Sequence, residues 1–204
     1  MDFNKIVIDR AKTSDAKALT HISKRTFDDD SKRFLNRESG GPPGYSTEKV
    51  TMKNIKFSDY YKIRLEDYTT IGGLIISQKN SICYLQRMFI DISYQNQGLG
   101  KYVFDYIQTF YPDIEEWKLE TPCDNIRTNH FYSKCGFKLT KTEKGFNYYS
   151  KSVDTENRSE SEVILMEELG IPIEHTICSA AAIGYIGKES SPPPRKKNTI
   201  HIIK

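Results

Sequence analysis

The sequence predicts a mixed α+β domain in which a mostly antiparallel sheet is flanked by helices, followed by a C-terminal appendage. Three observations predict it. Strand-like segments follow one another through short polar turns before Ile90, and the apolar period changes from two to helical after it. The composition becomes polar and charged from Ser152 onward. Short connections favour antiparallel pairing, and strands mixed with amphipathic helices favour a layered domain.

The N-terminal region reads as one strand and one helix. Residues 6–8 are apolar and strand-like, and the small polar residues 13–15 suit a helix start. Apolar positions from Leu19 to Phe27 have helical spacing, which predicts a first helix ending near the three aspartates at 28–30.

Residues 38–46 contain three glycines and two prolines, which predict a loop. Two interpretations of this loop stay open, a simple connector and a wall of a substrate site. The remaining elements follow in order. They are a short helix at 48–55, strands at 61–65, 71–77 and 82–90, a helix from Leu99 to Phe110, a strand at 117–121, a helix at 126–134, and a closing hairpin of 137–139 with 146–151.

Composition restricts the class of protein. The net charge of +3 argues for neither nucleic acid nor a membrane surface, and no stretch approaches the roughly 20 apolar residues that span a bilayer. The first ten residues lack the apolar centre of a signal peptide, so we expect a soluble cytoplasmic protein. Four widely separated cysteines, without a Cys-x-x-Cys pair, indicate reduced thiols and no metal site.

The segment from Gln95 to Lys101 has the strongest chemical signal. It lies between a predicted strand and an amphipathic helix, and its two glycines, Gly98 and Gly100, let several backbone N–H groups point in one direction. Such donors at a helix N-terminus form an anion site suited to a diphosphate, and Lys101 could add a charge. The segment fits neither the dinucleotide fingerprint nor the nucleoside-triphosphate loop.

A second motif follows about thirty residues later. It runs Asn125-Ile126-Arg127-Thr128-Asn129-His130-Phe131-Tyr132-Ser133-Lys134-Cys135-Gly136-Phe137. With this pair of motifs the chain resembles the GNAT family of N-acetyltransferases, by architecture over residues 3–151 and by motif over 82–137. The resemblance implies the acyl-CoA N-acyltransferase fold, with acetyl-CoA as co-substrate and no metal.

The resemblance also assigns cofactor contacts. The diphosphate falls on the loop, and the end of the preceding strand holds the pantetheine through main-chain bonds, with one amide polarising the thioester carbonyl. Two asparagines of the second motif contact the cofactor. The implied cofactor-binding residues are Met88, Phe89, Ile90, Gln95, Asn96, Gln97, Gly98, Leu99, Gly100, Lys101, Asn125 and Asn129.

Two residues are candidates for proton transfer. Tyr132 matches the tyrosine that the family uses as general acid toward the departing thiolate; the competing interpretation is a core aromatic. Glu120, near the end of the strand at 117–121, is the candidate base, and a solvated strand-end carboxylate is the alternative. His130 reads as a surface residue of its helix.

The sequence carries little information about the acceptor amine. The expected partner is a small-molecule amine or a protein amino group, and a homodimer stays open. The aspartates at 28–30 either attract a cationic amine or form a solvated helix end.

The sequence predicts three regions: an N-acetyltransferase domain at 1–151, a linker at 152–161, and a fragment at 162–204 that resembles the C-terminal end of flavin-dependent nitroreductases. In that family the closing segment binds the flavin phosphate, which would fall here on Arg195 and Lys196. Because only about fifty residues are present, FMN binding by this chain alone is not expected. Two other functions stay open: a non-catalytic acyl-CoA-binding module, and an accessory chain of a flavin oxidoreductase.

Overall fold

The computed structural model describes residues 3–153, and these form the predicted succession of elements. The strands are β1 (Ile6–Arg10), β2 (Asp59–Leu65), β3 (Thr70–Lys79), β4 (Ile82–Ile90), β5 (Glu116–Pro122), β6 (Lys138–Glu143) and β7 (Phe146–Ser152). The helices are α1 (Ala16–Phe34), α2 (Glu48–Phe57), α3 (Leu99–Gln108) and α4 (Ile126–Lys134). The mixed α+β fold class is therefore confirmed. Ser152, the first residue of the predicted linker, still belongs to β7, whereas the linker from residue 154 onward and the nitroreductase-like fragment lie outside the described residues.

The seven strands of this region form one sheet in the order β1-β2-β3-β4-β5-β7-β6. Every neighbouring pair is antiparallel except β4 and β5, which are parallel. That pair keeps register only from Ile82↔Glu116 to Tyr84↔Lys118. Beyond these residues the two strands lose their pairing, so the sheet opens at their carboxyl ends, the position where ligands bind in open α/β sheets.

The helices cover the two faces of the sheet with separate cores. On one face, Val103, Phe104 and Ile107 of α3 pack with strand residues around fully buried Trp117. On the other face, Leu19 and Ile22 of α1 pack on Tyr60, Ile75 and Phe89. Apolar residues at helical spacing on α1 and α3, and at alternate positions on the strands, produce this layering.

Helix α1 extends four residues beyond the last of the three aspartates, to Phe34. The helix continues because these carboxylates find partners on the folded protein. Asp28 accepts from Lys24 and Tyr45, Asp29 from Arg33, and Asp30 from Arg127. The interpretation as a solvated helix end is wrong for Asp30, which is buried.

A bulge interrupts β4 opposite β3. Ile75 pairs with Arg87, whereas Ile76 pairs with Leu85, so Gln86 is the extra residue. Such a bulge turns consecutive side chains toward the same face of a sheet. It lies in the half of β4 that has lost its partner β5.

Candidate functional site

The loop that follows β4 is anchored before it reaches α3. Asp91 accepts from the backbone N–H of Ser93 and forms an ion pair with Arg25 of α1. The Gln95 side chain donates to the carbonyl of Ile90 at 2.9 Å. These bonds fix the loop against the end of β4, so Gln95 positions the loop through its side chain.

Six consecutive backbone N–H groups of this loop, those of residues 96–101, donate to no acceptor within residues 3–153. The first turn of any helix leaves such donors unpaired, and here the turn at Asn96 and Gly98 adds to them. The positive end of the α3 dipole lies behind the same groups. The arrangement can therefore bind an anion of several oxygens.

The two glycines of the loop have different roles. Gly98 precedes α3 with a φ of +82°, in the left-handed region that side chains other than glycine rarely adopt. A Cβ on Gly100 would lie 3.0 Å from the ring of Phe131 on α4. Gly100 therefore lets α3 and α4 approach closely, while Gly98 sets the turn. Lys101 pairs with Asp105 one turn along α3, at 2.6 Å.

The end of β4 carries the residues predicted to hold a pantetheine. Phe89 is buried under α1, and Met88 packs against the opposite core. The Ile90 carbonyl accepts from Gln95 and, at 3.2 Å, from Thr26. Among the described strands, none pairs with the β5-facing edge of β4 after Tyr84.

Asn125 and Asn129 organise the start of α4. The Asn125 side chain caps the helix by accepting from Thr128 N–H, and it donates to Asp30 at 3.3 Å. The Asn129 amide nitrogen donates to the carbonyls of Pro122 and Asn125. Its oxygen accepts from Asn147 and from the Tyr149 hydroxyl of β7. Both side chains therefore join α4 to other elements, and a cofactor contact through them remains a prediction.

Tyr132 lies in an aromatic cluster with Phe131, Phe137 and Tyr149. Its ring is half-buried against the core under α3. Burial raises the pKa of its hydroxyl above the ordinary value, and the neighbouring Cys135 adds to the rise. The group therefore stays protonated across the physiological range, as a proton donor must.

Glu120 lines a groove of about 790 Å³. The groove lies on the face of the sheet opposite the one that α3 and Tyr132 cover. Tyr84, Lys118 and Tyr148 line the same groove. Directly across β5 and β7, Glu120 pairs in register with Tyr148. Within the part of the chain that the structure describes, the Glu120 carboxylate has no hydrogen-bond or ionic partner, whereas Glu116 of the same groove is bound by Lys118 and Ser150.

The tyrosines of this groove were not identified from the sequence. Strand alternation indicates which residues of β5 share a face, but only the register brings Tyr84 of β4 and Tyr148 of β7 to that face.

The sequence also predicted that the chain has neither a membrane span nor a metal site. Within residues 3–153, no helix is long and apolar enough to cross a bilayer, and no cluster of His, Cys, Asp or Glu suits a metal ion.

Known proteins share this architecture. Residues 60–139 match the family model described as acetyltransferase (GNAT) domain. The chain is 32% identical over 81 residues to YrkN, an uncharacterized protein of Bacillus subtilis, covering 38% of this chain and 43% of YrkN. It thus matches less than half of that relative's length.

Solved structures resemble the fold over a longer range. The PaiA N-acetyltransferase of Thermoplasma acidophilum, in complex with coenzyme A, superposes with a TM-score of 0.64 at 16% identity, covering 72% of this chain and 99% of that one. A spermidine N-acetyltransferase SpeG chimera, from Vibrio cholerae and hSSAT, gives a TM-score of 0.55 at 11% identity, with 72% and 95% covered.

The described region has the acyl-CoA N-acyltransferase fold of these solved structures. Residues 60–139 are thus similar to a GNAT acetyltransferase domain.

The thiols of the domain differ in their environments, which predicts a reactivity order. Burial raises the pKa of the Cys83 thiol to about 12 and that of Cys135 to about 11, whereas Cys123 is exposed in the turn between β5 and α4. Because the thiolate is the reactive form, iodoacetamide at pH 8 should label Cys123 before Cys83 and Cys135. Time-resolved peptide mass spectrometry measures this, and equal labelling of Cys83 in the folded chain would contradict the buried placement.

Proposed function

We propose that this domain transfers the acetyl group of acetyl-CoA to a primary amine by direct attack of the amine on the thioester. The six free N–H groups at residues 96–101 carry the proposal, because they lie at the N-terminus of α3 and directly after a strand whose edge is open. A diphosphate there would bring the attached pantetheine alongside β4.

The roles of the other residues follow from their positions. The loop from Gln95 to Lys101 would bind the diphosphate, and the unpaired edge of β4 at Met88, Phe89 and Ile90 would hold the pantetheine. An amide of this edge would stabilise the oxyanion. Asn125 and Asn129 would contact the cofactor while they keep α4 in place.

The reaction needs two proton transfers. The amine nitrogen forms a bond to the thioester carbon, the carbon–sulfur bond breaks, and the sulfur leaves with its electron pair. Glu120 would accept the proton that the amine loses, directly or through water, and Tyr132 would protonate the thiolate. Burial raises the pKa of Tyr132, so its hydroxyl carries a proton at neutral pH, as an ordinary tyrosine does, and its role as the acid rests on its place in the second motif.

The acceptor would be a small-molecule amine or a protein amino group that enters the groove beside Glu120. The absence of a strong charge excess supports neither nucleic acid nor a membrane as partner. A cytoplasmic location fits this reading because acetyl-CoA is a cytoplasmic metabolite, and a homodimer remains open.

A charge substitution tests the loop. Gln97→Glu adds one negative charge to the exposed loop with almost no change of shape, and near a diphosphate that charge costs about 1–2 kcal/mol, or roughly tenfold in affinity. Gln78→Glu makes the same change in the exposed end of β3. We expect calorimetric titration with acetyl-CoA to show weaker binding for the first variant and unchanged binding for the second.

Two outcomes decide between functions. If the folded parent does not bind acetyl-CoA, or if Gln97→Glu binds as the parent does, the assigned site is wrong. If the parent binds acetyl-CoA but releases no thiol with any amine of a broad panel, the domain is a non-catalytic acyl-CoA-binding module.

A further inference from the structure

Arg87 of β4 is a buried arginine without a counterion among the described residues. It is 8% exposed, and one terminal nitrogen donates to the Pro43 carbonyl at 2.9 Å. Its Nε is buried and has no partner, and no carboxylate within residues 3–153 pairs with the guanidinium. Two partly buried arginines each have a carboxylate partner: Arg64 binds Asp9, and Arg127 binds Asp30.

A second buried donor lies beside it. The Tyr60 hydroxyl of β2 is buried without a hydrogen-bond partner in the described part of the chain, and its ring is 1% exposed. Tyr60 pairs in register with Ile75, which pairs with Arg87, so the three residues form one row across the sheet. The charge of Arg87 acts on the Tyr60 hydroxyl.

The free energy cost of burying the Arg87 charge and the Tyr60 donor favours the binding of an anion. Burying a guanidinium away from water is strongly unfavourable without a paired charge, and a buried donor without an acceptor adds to the cost. Burial accordingly lowers the pKa of Arg87, although a guanidinium keeps its proton in proteins. A water molecule would satisfy the hydrogen bonds but would leave the charge uncompensated.

Arg87 lies next to the groove that the proposed acceptor would enter. The bulge in β4 places it directly after Gln86, which lines the groove that contains Glu120. Its partner Pro43 belongs to the glycine- and proline-rich loop at 38–46, so this loop closes over the guanidinium. Phe89 and Ile90, two and three residues further on, form the strand end assigned to the thioester.

We propose that Arg87, with Tyr60, binds a carboxylate of the acceptor, so that the acceptor is a primary amine that carries a carboxylate, as an amino acid does. The assignment of this carboxylate to an acceptor rests on the proposed acetyl transfer; the anion site itself does not. Arginine binds a carboxylate through two parallel N–H bonds, and a tyrosine hydroxyl adds a third donor. The loop at 38–46 is then a wall of the acceptor site.

The test compares products that differ only in the carboxylate. The first pair is N-acetyl-L-phenylalanine and N-acetylphenethylamine, and the second pair, with a longer spacing, is N-acetyl-4-aminobutyrate and N-propylacetamide. Calorimetric titration of the full chain should give at least one pair in which the carboxylate compound binds about tenfold to hundredfold more tightly, the range for a hydrogen bond to a charged group.

Variants assign this preference to the residues. Arg87→Met should abolish it, Tyr60→Phe should reduce it, and Arg87→Lys should keep part of it. Arg64→Met is the matched control, because Arg64 is a sheet arginine that already has a carboxylate, Asp9, and it should leave the preference unchanged. Thermal unfolding should show Arg87→Met at least as stable as the parent, because the substitution removes an uncompensated buried charge.

Each outcome bears on the proposal. No carboxylate preference in either pair, including no binding at all, overturns it, and so does a preference that survives Arg87→Met. The acetyl-CoA titration is independent of these measurements. A carboxylate preference without acetyl-CoA binding would keep the anion site and refute the acetyl transfer, and the reverse result would refute only the anion site.

Discussion

Glu120→Gln is expected to lower the turnover of acetyl-CoA with an amine acceptor about 100-fold, the lower end of the effect of a positioned general base. Glu120 has no partner within the described residues, so its carboxylate is available to accept a proton from the amine. The glutamine keeps the shape of the side chain but has no basic oxygen. The measurement is the initial rate of thiol release at saturating acetyl-CoA.

The neighbouring Glu116 supplies a control. Its carboxylate lies in the same groove but is bound by Lys118 at 2.8 Å and by Ser150, so Glu116→Gln should change the rate little. The pH dependence separates a base from a structural group. If Glu120 is the base, the rate of Glu120→Gln should recover at high pH, because solution hydroxide then supplies neutral amine. A variant that stays as slow at pH 10 as at pH 7 would argue against the base.

Asp30→Asn should lower the free energy of unfolding by about 2–3 kcal/mol. Removing one partner of a buried ion pair typically costs about 3–5 kcal/mol, and the value here is smaller because the Arg127 side chain is 32% exposed. The substitution weakens the tie between the last turns of α1 and the start of α4, which Asp30 makes through Arg127 and Asn125. Urea unfolding followed by circular dichroism measures the effect.

Asp29→Asn is the matched control one residue earlier. Asp29 pairs with Arg33 on the surface of the same helix, and such exposed pairs contribute at most about 1 kcal/mol. Equal destabilisation by the two variants would show that the helix itself, not the contact with α4, depends on these carboxylates. Because Asn125 begins the second motif, the Asp30 variant should also weaken acetyl-CoA binding if that asparagine contacts the cofactor.

The element order was predictable because it depends on local patterns. Alternation at 61–65, helical spacing from Leu99 and the Gly136 stop are each legible within about ten residues, and the bounds of α4 agree with the structure. The end of α1 was predicted wrongly for the opposite reason. Three adjacent carboxylates favour an end there. Asp28 and Asp29 have partners within the helix, Lys24 and Arg33, but the buried Asp30 depends on Arg127, which lies far away in the sequence.

The candidate site likewise has one part that the sequence identifies and another that only the tertiary structure shows. The loop from Gln95 to Lys101 could be identified from the sequence because glycines and a following helix create its donors locally. The groove could not be, because Glu120, Tyr84 and Tyr148 come from three strands whose neighbours depend on the register. Arg87 gave no signal at all, since an arginine in a strand is ordinarily exposed, whereas here it is buried and donates to Pro43, a residue distant in the sequence.

The sequence by itself determined the succession of elements, the amphipathic faces and the glycine-containing loop at the start of α3, because each arises from residues close together along the chain. Tertiary structure alone decided that β4 and β5 separate after three paired residues, that Asp30 is buried, and that the buried Arg87 guanidinium contacts the loop at 38–46. These features depend on contacts between residues distant in sequence, whose burial changes the cost of a charge far more than any local pattern records.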